Sequence, residues 1–475
     1  MIKKKTNTTE QEKRGVVYSE NIQVPIRTGK NNNALIVGAN DAEIQKRFIE
    51  PNLLHTNDSY VVAGIPEISV LRVQDKMIVE NGCHIQILDL DGYMSTVQYD
   101  PLKHIDTEED AKKIVDCIIS NTLDNSHLDS LELQLEKTLL TSLILYLTEI
   151  ADESVCNLSA ILWMLKLAYI LPARPSQCTH YYSNGFYVNN NLDELFDGQR
   201  KIVQTICYDA TNQKYLNYKD IDSNNGESKL QDLLCDSLCL RQYQLFKCSD
   251  IETQKKVITD AIMRFSLFVD MYKYEKGKIS YQKSNINDEL DIQSLRQPKS
   301  CLFITYSKAS KATKVLTAIL VSQIYDSLTR EPYESHQKSH VKFIVDGIDD
   351  ACFIPELKHK LTSCQNYNMS FDVLLPSITF AEKIYDDWNY ISQTFNVSAC
   401  FDAIDEHTAE YFRQKIKKNI KNNMKNRYAF QKNKYTVACI IQKILDKDEI
   451  MMLPDYACLV VVNKTGQYID VKKLY

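Results

Sequence analysis

The sequence predicts an α/β fold, a mostly parallel sheet flanked by helices, which is interrupted by an all-α domain. Three observations predict it. Between Gly15 and Pro101, short β-rich runs alternate with helical ones, and from Asp106 to Gly277 the β-rich runs nearly vanish. After the polar stretch 278–299, strand-like runs return to the end of the chain. A sheet that begins, stops for a helical segment and resumes is the simplest arrangement that accounts for all three.

Composition limits the class of protein. The chain has 475 residues, of which 44% are apolar and 25% charged, as is typical of a folded protein with more than one core. The formal net charge of -6 gives no overall attraction to nucleic acid, so any such binding needs a local basic patch. Fourteen cysteines are scattered, with no C-x-x-C pair and no secretory signal, which indicates reduced thiols and no metal site.

No run of apolar residues reaches the length of about 18 that a membrane-spanning helix needs. The lysine-rich start has no apolar stretch behind it. We therefore expect no transmembrane segment and a cytoplasmic location, with docking at the inner face of the membrane through partners as the alternative.

The first half of the predicted sheet follows a βαβαβ pattern. The strand-like runs are ALIVG (34–38), SYVVAG (59–64) and HIQILDL (84–90), with a helix expected near 42–52 and another before residue 84. Such alternation predicts parallel strands with right-handed crossovers and a ligand site at their carboxyl ends. The first of these ends is Gly38.

The remaining segments complete the division into domains. In the middle of the chain, apolar residues such as Leu135, Leu139 and Leu143 recur at helical spacing, which predicts helices. Towards the end of the chain, the predicted strands are SCLFITY, VKFIVDG, SFDVLLP, VSACFDA and YACLVVVN. We expect a disordered N-terminus at 1–15, the sheet domain at 16–106 and 278–475, and the all-α domain at 107–277.

The segment 31–52 has the layout of a phosphate-binding loop: apolar strand, glycine, polar loop and helix. A working loop reads G-x-x-x-x-G-K-[ST], in which Lys reaches the β- and γ-phosphates and Ser or Thr holds magnesium. Counted from Gly38, the second glycine position holds Glu43, the lysine position Ile44, and the Ser/Thr position Gln45. A carboxylate about 5 Å from a phosphate costs about 3 kcal/mol at an effective dielectric of 20.

The order of several segments resembles the TraG/TraD family of type IV secretion coupling proteins, which act in conjugative DNA transfer. The resemblance is carried by NNN before the first strand, PNL after its helix, SYVV on the next strand and YDPL before the helical segment. It continues in LEKTLLTSLILYL, VKFIVDGIDDACFIPEL and IYDDWNYISQTFNVSACFDAIDEHTAEYF. Together these segments span most of residues 16–475.

The resemblance implies a RecA-like P-loop NTPase fold, in which the family binds ATP and Mg²⁺. At the family's other nucleotide-facing positions this chain also departs from the motif. Asp346 keeps the acid of the Walker B strand, but Gly347 replaces the Glu that polarises water. A family D-P-K-G is replaced by residues 64–67, GIPE, and Pro376 stands where the family has a Gln. No ATP, Mg²⁺ or other cofactor, and no catalytic residue, is therefore expected.

Two acids near the start of the helix, Asp41 and Glu43, suggest a further hypothesis. A helix N-terminus attracts anions, so either carboxylate could stand there in place of phosphate.

The stretch Arg413 to Lys434 is rich in Lys and Arg, has no acid, and is interleaved with Tyr428 and Phe430, as is typical of nucleic-acid contacts. A solvated helix face is an equally good interpretation. The candidate contacts are Lys415, Lys417, Lys418, Lys421, Lys425 and Arg427.

The resemblance implies a coupling-protein homologue that recruits DNA or a relaxase-type nucleoprotein to a transfer channel. Its partners would be type IV secretion components and further copies of this chain or of an active relative in a hexamer. The altered loop favours a pseudo-ATPase. The alternatives are an active ATP-driven DNA translocase with an atypical site and a non-functional relic of a mobile element.

Overall fold

The structure, a computed structural model, describes residues 15–38, 41–55, 58–90, 94–122, 130–151, 155–170, 181–198, 208–209, 214–215, 234, 237–275, 278–281, 288–305, 310–330, 339–346, 352–402, 405–425, 439–440 and 445–473. The chain divides into two compact units. One contains residues 1–97 and 286–475, and the other contains residues 98–285.

The strands range from two to seven residues in length. They are β1 (Gly15–Val17), β2 (Gln23–Pro25), β3 (Ala34–Val37), β4 (Ser59–Ile65), β5 (His84–Asp89), β6 (Tyr181–Ser183), β7 (Phe186–Val188), β8 (Tyr208–Asp209), β9 (Lys214–Tyr215), β10 (Tyr272–Glu275), β11 (Lys278–Tyr281), β12 (Ser300–Thr305), β13 (Val341–Val345), β14 (Met369–Leu375), β15 (Val397–Cys400), β16 (Cys439–Ile440), β17 (Ala457–Val462) and β18 (Gly466–Val471).

The helices divide between the two units. They are α1 (Asp41–Ile44), α2 (Glu50–His55), α3 (Glu67–Val79), α4 (Glu108–Thr122), α5 (Leu131–Glu149), α6 (Leu158–Leu167), α7 (Asn191–Phe196), α8 (Leu238–Lys247), α9 (Ile251–Phe265), α10 (Lys311–Arg330), α11 (Leu357–Ser363), α12 (Ile378–Ile384), α13 (Trp388–Ile391), α14 (Glu406–Lys425) and α15 (Lys447–Met451). A π-helical turn, Gln45–Ile49, joins α1 to α2.

Ten strands form one sheet in the order β16-β18-β17-β15-β3-β14-β13-β4-β12-β5. The pairs from β15 to β5 are parallel, and β17, β18 and β16 extend the sheet with antiparallel pairs. Strands β3 to β5 precede the helical unit and β12 to β18 follow it. The predicted α/β class with a helical interruption is confirmed.

Strand β3 lies between two strands that come much later in the chain, β14 and β15. The side chain of Asn33, just before β3, accepts a hydrogen bond from the backbone N–H of Phe371 at 2.9 Å, over a sequence separation of 338 residues. It also donates to the carbonyl oxygen of Leu361 at 2.7 Å. These bonds fix the register of β3 at the centre of the sheet.

The helix after β3 contains Pro51, whose ring cannot donate a backbone hydrogen bond and crowds the carbonyl four residues earlier. The π-helical turn lies directly before it. The Asn52 side chain donates to the carbonyl oxygens of Phe48 at 2.7 Å and Val17 at 2.8 Å, and accepts from the N–H of Val17. This amide therefore ties β1 to the helix and satisfies backbone groups in the distorted turn.

The core between the sheet and the helices α1 to α3 is apolar and fully buried. It includes Ile36, Phe48, Val62, Val73 and Phe303. On the other face, the rings of Tyr325 from α10 and Phe343 contact Phe371, with centroid distances of 5.9 and 4.5 Å. Alternate residues of the central strands thus serve two cores, which explains why these strands read as continuous apolar runs.

The second unit is mainly helical. Leu139, Leu140, Leu143 and Ile144 of α5 are inaccessible to solvent, and α5 packs against α8 and α9. Three short hairpins, β6-β7, β8-β9 and β10-β11, accompany the helices. Sequence analysis did not predict them, since strands of two to four residues are too short to show a two-residue period.

Within the part of the chain that the structure describes, no helix is long and apolar enough to cross a membrane.

Candidate functional site

The ends of the four strands that carry the motif positions lie at the same edge of the sheet. Strands β3, β14, β13 and β4 are consecutive parallel neighbours, and Gly38, Pro376 and Asp346 directly follow the first three. At the end of β4, Gly64 has φ +88° and lies in a bulge, because Ile304 pairs with Ala63 and Thr305 with Ile65. The topology thus brings together positions that are far apart in the sequence.

Ile44, at the position of the motif's lysine, is turned into the protein. It is only 3% exposed and belongs to the same core as Phe48 and Phe401. A Cβ placed on Gly38 would lie 3.1 Å from Ile44 Cδ1 and 3.2 Å from Phe401 Cβ. The space next to this glycine is therefore filled by apolar side chains.

Gln45, at the position of the magnesium-binding hydroxyl, is also buried. Its Oε1 accepts a hydrogen bond of 2.9 Å from Ser69 Oγ at the start of α3. The amide oxygen is thus used in a contact between the helix after β3 and the helix after β4.

Glu43, at the position of the second glycine, carries a negative charge between two cations. Its Oε2 lies 2.6 Å from Arg47 Nε and 3.8 Å from Lys472 Nζ, at the end of β18. The side chain of Lys472 is 6% exposed and that of Glu43 is 33% exposed. The side chain of Asp41 lies outside the described part of the structure, so the hypothesis that it replaces phosphate stays a prediction.

The other two strand ends carry little of the expected chemistry. Asp346 is buried, and its backbone N–H donates to the carbonyl oxygen of Ala63 at 2.8 Å. Gly347 lies outside the described residues. Pro376 is half-buried and is followed by the buried Ser377. Pro376 has no backbone N–H, and the side chain of Ile44 can contribute neither charge nor a hydrogen-bond donor to a triphosphate.

These residues do not fit ATP and Mg²⁺. The lysine position is a core residue, the hydroxyl position is engaged by Ser69, and the second glycine position holds an acid. Burying a whole aliphatic side chain such as that of Ile44 stabilises the fold by roughly 1.5–3 kcal/mol relative to leaving it in solvent. The arrangement is that of a packed strand-to-helix connection.

The basic helix α14 begins next to Asp405, whose carboxylate accepts hydrogen bonds from residues of two helices. Asp405 accepts from the N–H of Thr408 at 2.7 Å and from Thr379 Oγ1 of α12 at 3.2 Å. Burial alone would raise the pKa of Asp405, but the hydrogen bonds from Thr408, Ser377 and Thr379 outweigh it, so the pKa lies below its usual range. Its charge therefore stabilises the start of the helix.

Lys415 is half-buried and engaged by the fold. Its Nζ donates to the carbonyl oxygen of Ser392 at 2.8 Å and lies 5.3 Å from the centre of the Tyr411 ring. Burial, with a smaller effect of the Lys418 charge, lowers the pKa of Lys415 to about 8. On the same helix, Arg413 forms an ion pair with Glu410 at 2.7 Å.

Lys417 and Lys418 of α14 are exposed, whereas Ala409, Phe412 and Ile416 of the same helix are buried. Lys421 and Lys425 belong to the helix, but their side chains lie outside the described part. Arg427, Tyr428 and Phe430 also lie outside it. The structure thus separates one inward lysine from two that face solvent.

Sequence reasoning missed Ser69, Arg47 and Lys472 as partners of the altered loop. Arg47 is one helical turn from Glu43, a spacing that could have indicated the ion pair. Ser69 and Lys472 come from other strand ends, and no local pattern marks them.

Comparison with known proteins finds a family match for the second part of the chain. Residues 267–474 match the family described as type IV secretory system conjugative DNA transfer. No curated protein sequence matches the chain at a significant level.

Two solved structures are similar along nearly the whole chain. The plasmid coupling protein TrwB, in complex with the non-hydrolysable GTP analogue GDPNP, is 12% identical with a TM-score of 0.58, over 99% of this chain and 93% of that one. The bacterial conjugative coupling protein TrwBdeltaN70, in an unbound monoclinic form, is 14% identical with a TM-score of 0.56, over 97% and 90%. At these identities the likeness is one of fold.

The resemblance to the TraG/TraD coupling proteins is confirmed: residues 267–474 match the type IV secretory system conjugative DNA transfer family, and the chain has a RecA-like fold similar to that of the TrwB structures.

Proposed function

We propose that this chain is a coupling-protein homologue of conjugative DNA transfer that does not hydrolyse ATP. The observation that carries the proposal is the burial of Ile44, which is 3% exposed and in van der Waals range of the space beside Gly38. A lysine at this position must reach the β- and γ-phosphates, and a buried aliphatic side chain cannot replace its charge. Gln45 stands where a working loop has the Ser or Thr that holds magnesium, and its side-chain oxygen instead accepts a hydrogen bond from Ser69.

Calorimetric titration of the full chain with magnesium-ATP tests the proposal. We expect no binding heat up to millimolar nucleotide, whereas a dissociation constant in the micromolar range would contradict it. A coupling protein with an intact G-x-x-x-x-G-K-[ST] motif serves as the positive control. A change in the hydrolysis rate of such a relative when this chain is added would indicate a shared ring, with the active relative supplying the catalytic groups.

The role we propose is recruitment of DNA or a relaxase-type nucleoprotein to the secretion channel, in a hexamer of this chain or with an active relative. The chain would act at the cytoplasmic side, alone or docked through its partners. Deleting its gene should lower the frequency of conjugative transfer, and a complementing copy should restore it. An unchanged frequency would favour the relic interpretation.

For the DNA contact, the exposed Lys417 and Lys418 of α14 are the described residues that support it. Their charge can pair with phosphates without reading a base sequence, so affinity should fall with salt. We propose that these two lysines contact the nucleic-acid backbone, together with Lys421, Lys425 and Arg427.

Fluorescence anisotropy with a single-stranded oligonucleotide tests this contact. The double variant Lys417→Glu/Lys418→Glu should bind more weakly and lower the slope of log affinity against log salt by roughly 1.4, for two lost phosphate contacts. The matched control is Arg27→Glu/Lys30→Glu, which makes the same charge change at two exposed residues before β3. Equal losses in both double variants would mean that α14 is not the contact.

A further inference from the structure

The ion pairs of Glu43 join three segments of the sheet unit. Arg47 lies one helical turn after Glu43, in the π-helical turn, and Lys472 follows the C-terminal strand β18. The same oxygen, Oε2, faces both cations, at 2.6 and 3.8 Å. One carboxylate thus faces two positive charges beside the altered loop and offsets one of them.

Lys472 is held in place by its backbone neighbours. Its N–H donates to the carbonyl oxygen of Tyr456 at 2.8 Å. Two residues earlier, Asp470 accepts from Ser19 Oγ at 2.7 Å and from the N–H of Asn21 at 2.8 Å. The backbone that carries Lys472 is therefore fixed in the sheet.

An ammonium group in this position needs an anion. The Lys472 side chain is only 6% exposed, and removing a charge from water is costly unless an opposite charge compensates it. A bound ligand can supply this anion, as phosphates do for lysine and arginine in working loops. In this chain Glu43 supplies it, from the sequence position at which a working loop has glycine.

We propose that Arg47 and Lys472 form a concealed oxyanion site whose resident anion is the Glu43 carboxylate. Removing the carboxylate exposes a site for a phosphate-type ligand. The guanidinium group matches the paired oxygens of phosphate as well as those of carboxylate, and the ammonium adds a point charge. The inference rests on the proposed function, because a loop that binds ATP would not hold a carboxylate at this place.

The test is calorimetric titration of full-length variants with inorganic pyrophosphate. Glu43→Gly removes the carboxylate and vacates its volume, and we expect its dissociation constant to be at least tenfold lower than that of the wild type. In Glu43→Gly/Lys472→Gln, we expect this gain to be lost. Glu43→Gln, which keeps the side-chain shape, should gain at least threefold and serves if the glycine variant does not fold.

Two results would overturn the concealed site: dissociation constants of the folded Glu43 variants within threefold of the wild type, or undiminished binding in the double variant. Neither result bears on the proposed function, which fails only if the wild type binds magnesium-ATP in the micromolar range. The two failures are therefore distinguishable in one set of titrations.

Discussion

Two neighbouring strands of the sheet, β3 and β15, run parallel, and each is followed by a helix that the sequence marks as a candidate site. After β3, Ile44 at the end of α1 and Gln45 in the π-helical turn point inward and are buried. After β15, helix α14 buries one apolar stripe and leaves Lys417 and Lys418 in solvent. The comparison teaches that residues at a candidate site become part of the core after one strand and stay in contact with solvent after the next.

The largest expected effect comes from restoring the motif's lysine. Ile44→Lys should lower the free energy of unfolding by about 3 kcal/mol, because it places an unpaired ammonium among Phe48 and Phe401. Urea denaturation measures it. Ile44→Met, which conserves volume, should cost less than about 1.5 kcal/mol. Equal stability of the two variants would mean that residue 44 faces open space, and the contrast between the helices would disappear.

The next effect concerns the space beside Gly38. Gly38→Ala should destabilise the protein by about 2 kcal/mol, since its Cβ would lie 3.1 Å from Ile44 Cδ1. Ile44→Val removes that Cδ1 atom and alone costs about 1 kcal/mol. The double variant should be more stable than the sum of the two costs predicts, by at least about 0.5 kcal/mol in a double-mutant cycle. Strict additivity would contradict the contact.

A smaller effect separates Lys415 from its exposed neighbours. Its pKa is lowered to about 8 in the folded protein, against about 10.4 in an unfolded chain. Between these values the unfolded state binds the additional proton, so stability rises with pH through this window. From pH 8 to pH 9, the wild type should gain about 1 kcal/mol relative to Lys415→Met.

The control for the pH series is Lys417→Met, at an exposed position of the same helix. It should follow the wild type across the whole range. If both methionine variants follow the wild type, Lys415 is as well solvated as Lys417.

The smallest effect is expected from the reverse type of substitution, lysine to isoleucine, at an exposed position. Lys417→Ile places an apolar side chain on the exposed face of α14 and should change the free energy of unfolding by less than about 0.5 kcal/mol. The same urea denaturation measures it. A loss of stability close to that of Ile44→Lys would show that residues 44 and 417 do not differ in burial.

The sequence predicts much of the sheet because the central strands are continuous apolar runs with glycine or proline at their ends, as in 34–38 and 369–376. It also predicts that Ile44 lacks the chemistry of lysine. It does not predict β1, β2 or β18, which are short or mix polar with apolar residues. The positions of these strands depend on their contacts with other segments of the chain, which no local pattern shows.

The candidate site shows the same limit. Glu43 and Arg47 are local, but Lys472 reaches Glu43 only when β18 has joined the sheet. In α14, the composition marks a basic segment, but the bond from Lys415 to Ser392 depends on how α13 and α14 pack. Burial and pairing, rather than residue type, decide which of these charges can meet a ligand.

The position of β3 has a consequence for biosynthesis. Its partners β14 and β15 are made long after it, and the bond between Asn33 and Phe371 spans 338 residues. At a synthesis rate of about 5–20 residues per second, β3 waits roughly 20 to 70 seconds for its neighbours. Throughout that time its four apolar residues, Ala34–Val37, must be kept from pairing with other chains. The helical unit, complete before β12 is made, can fold during this interval.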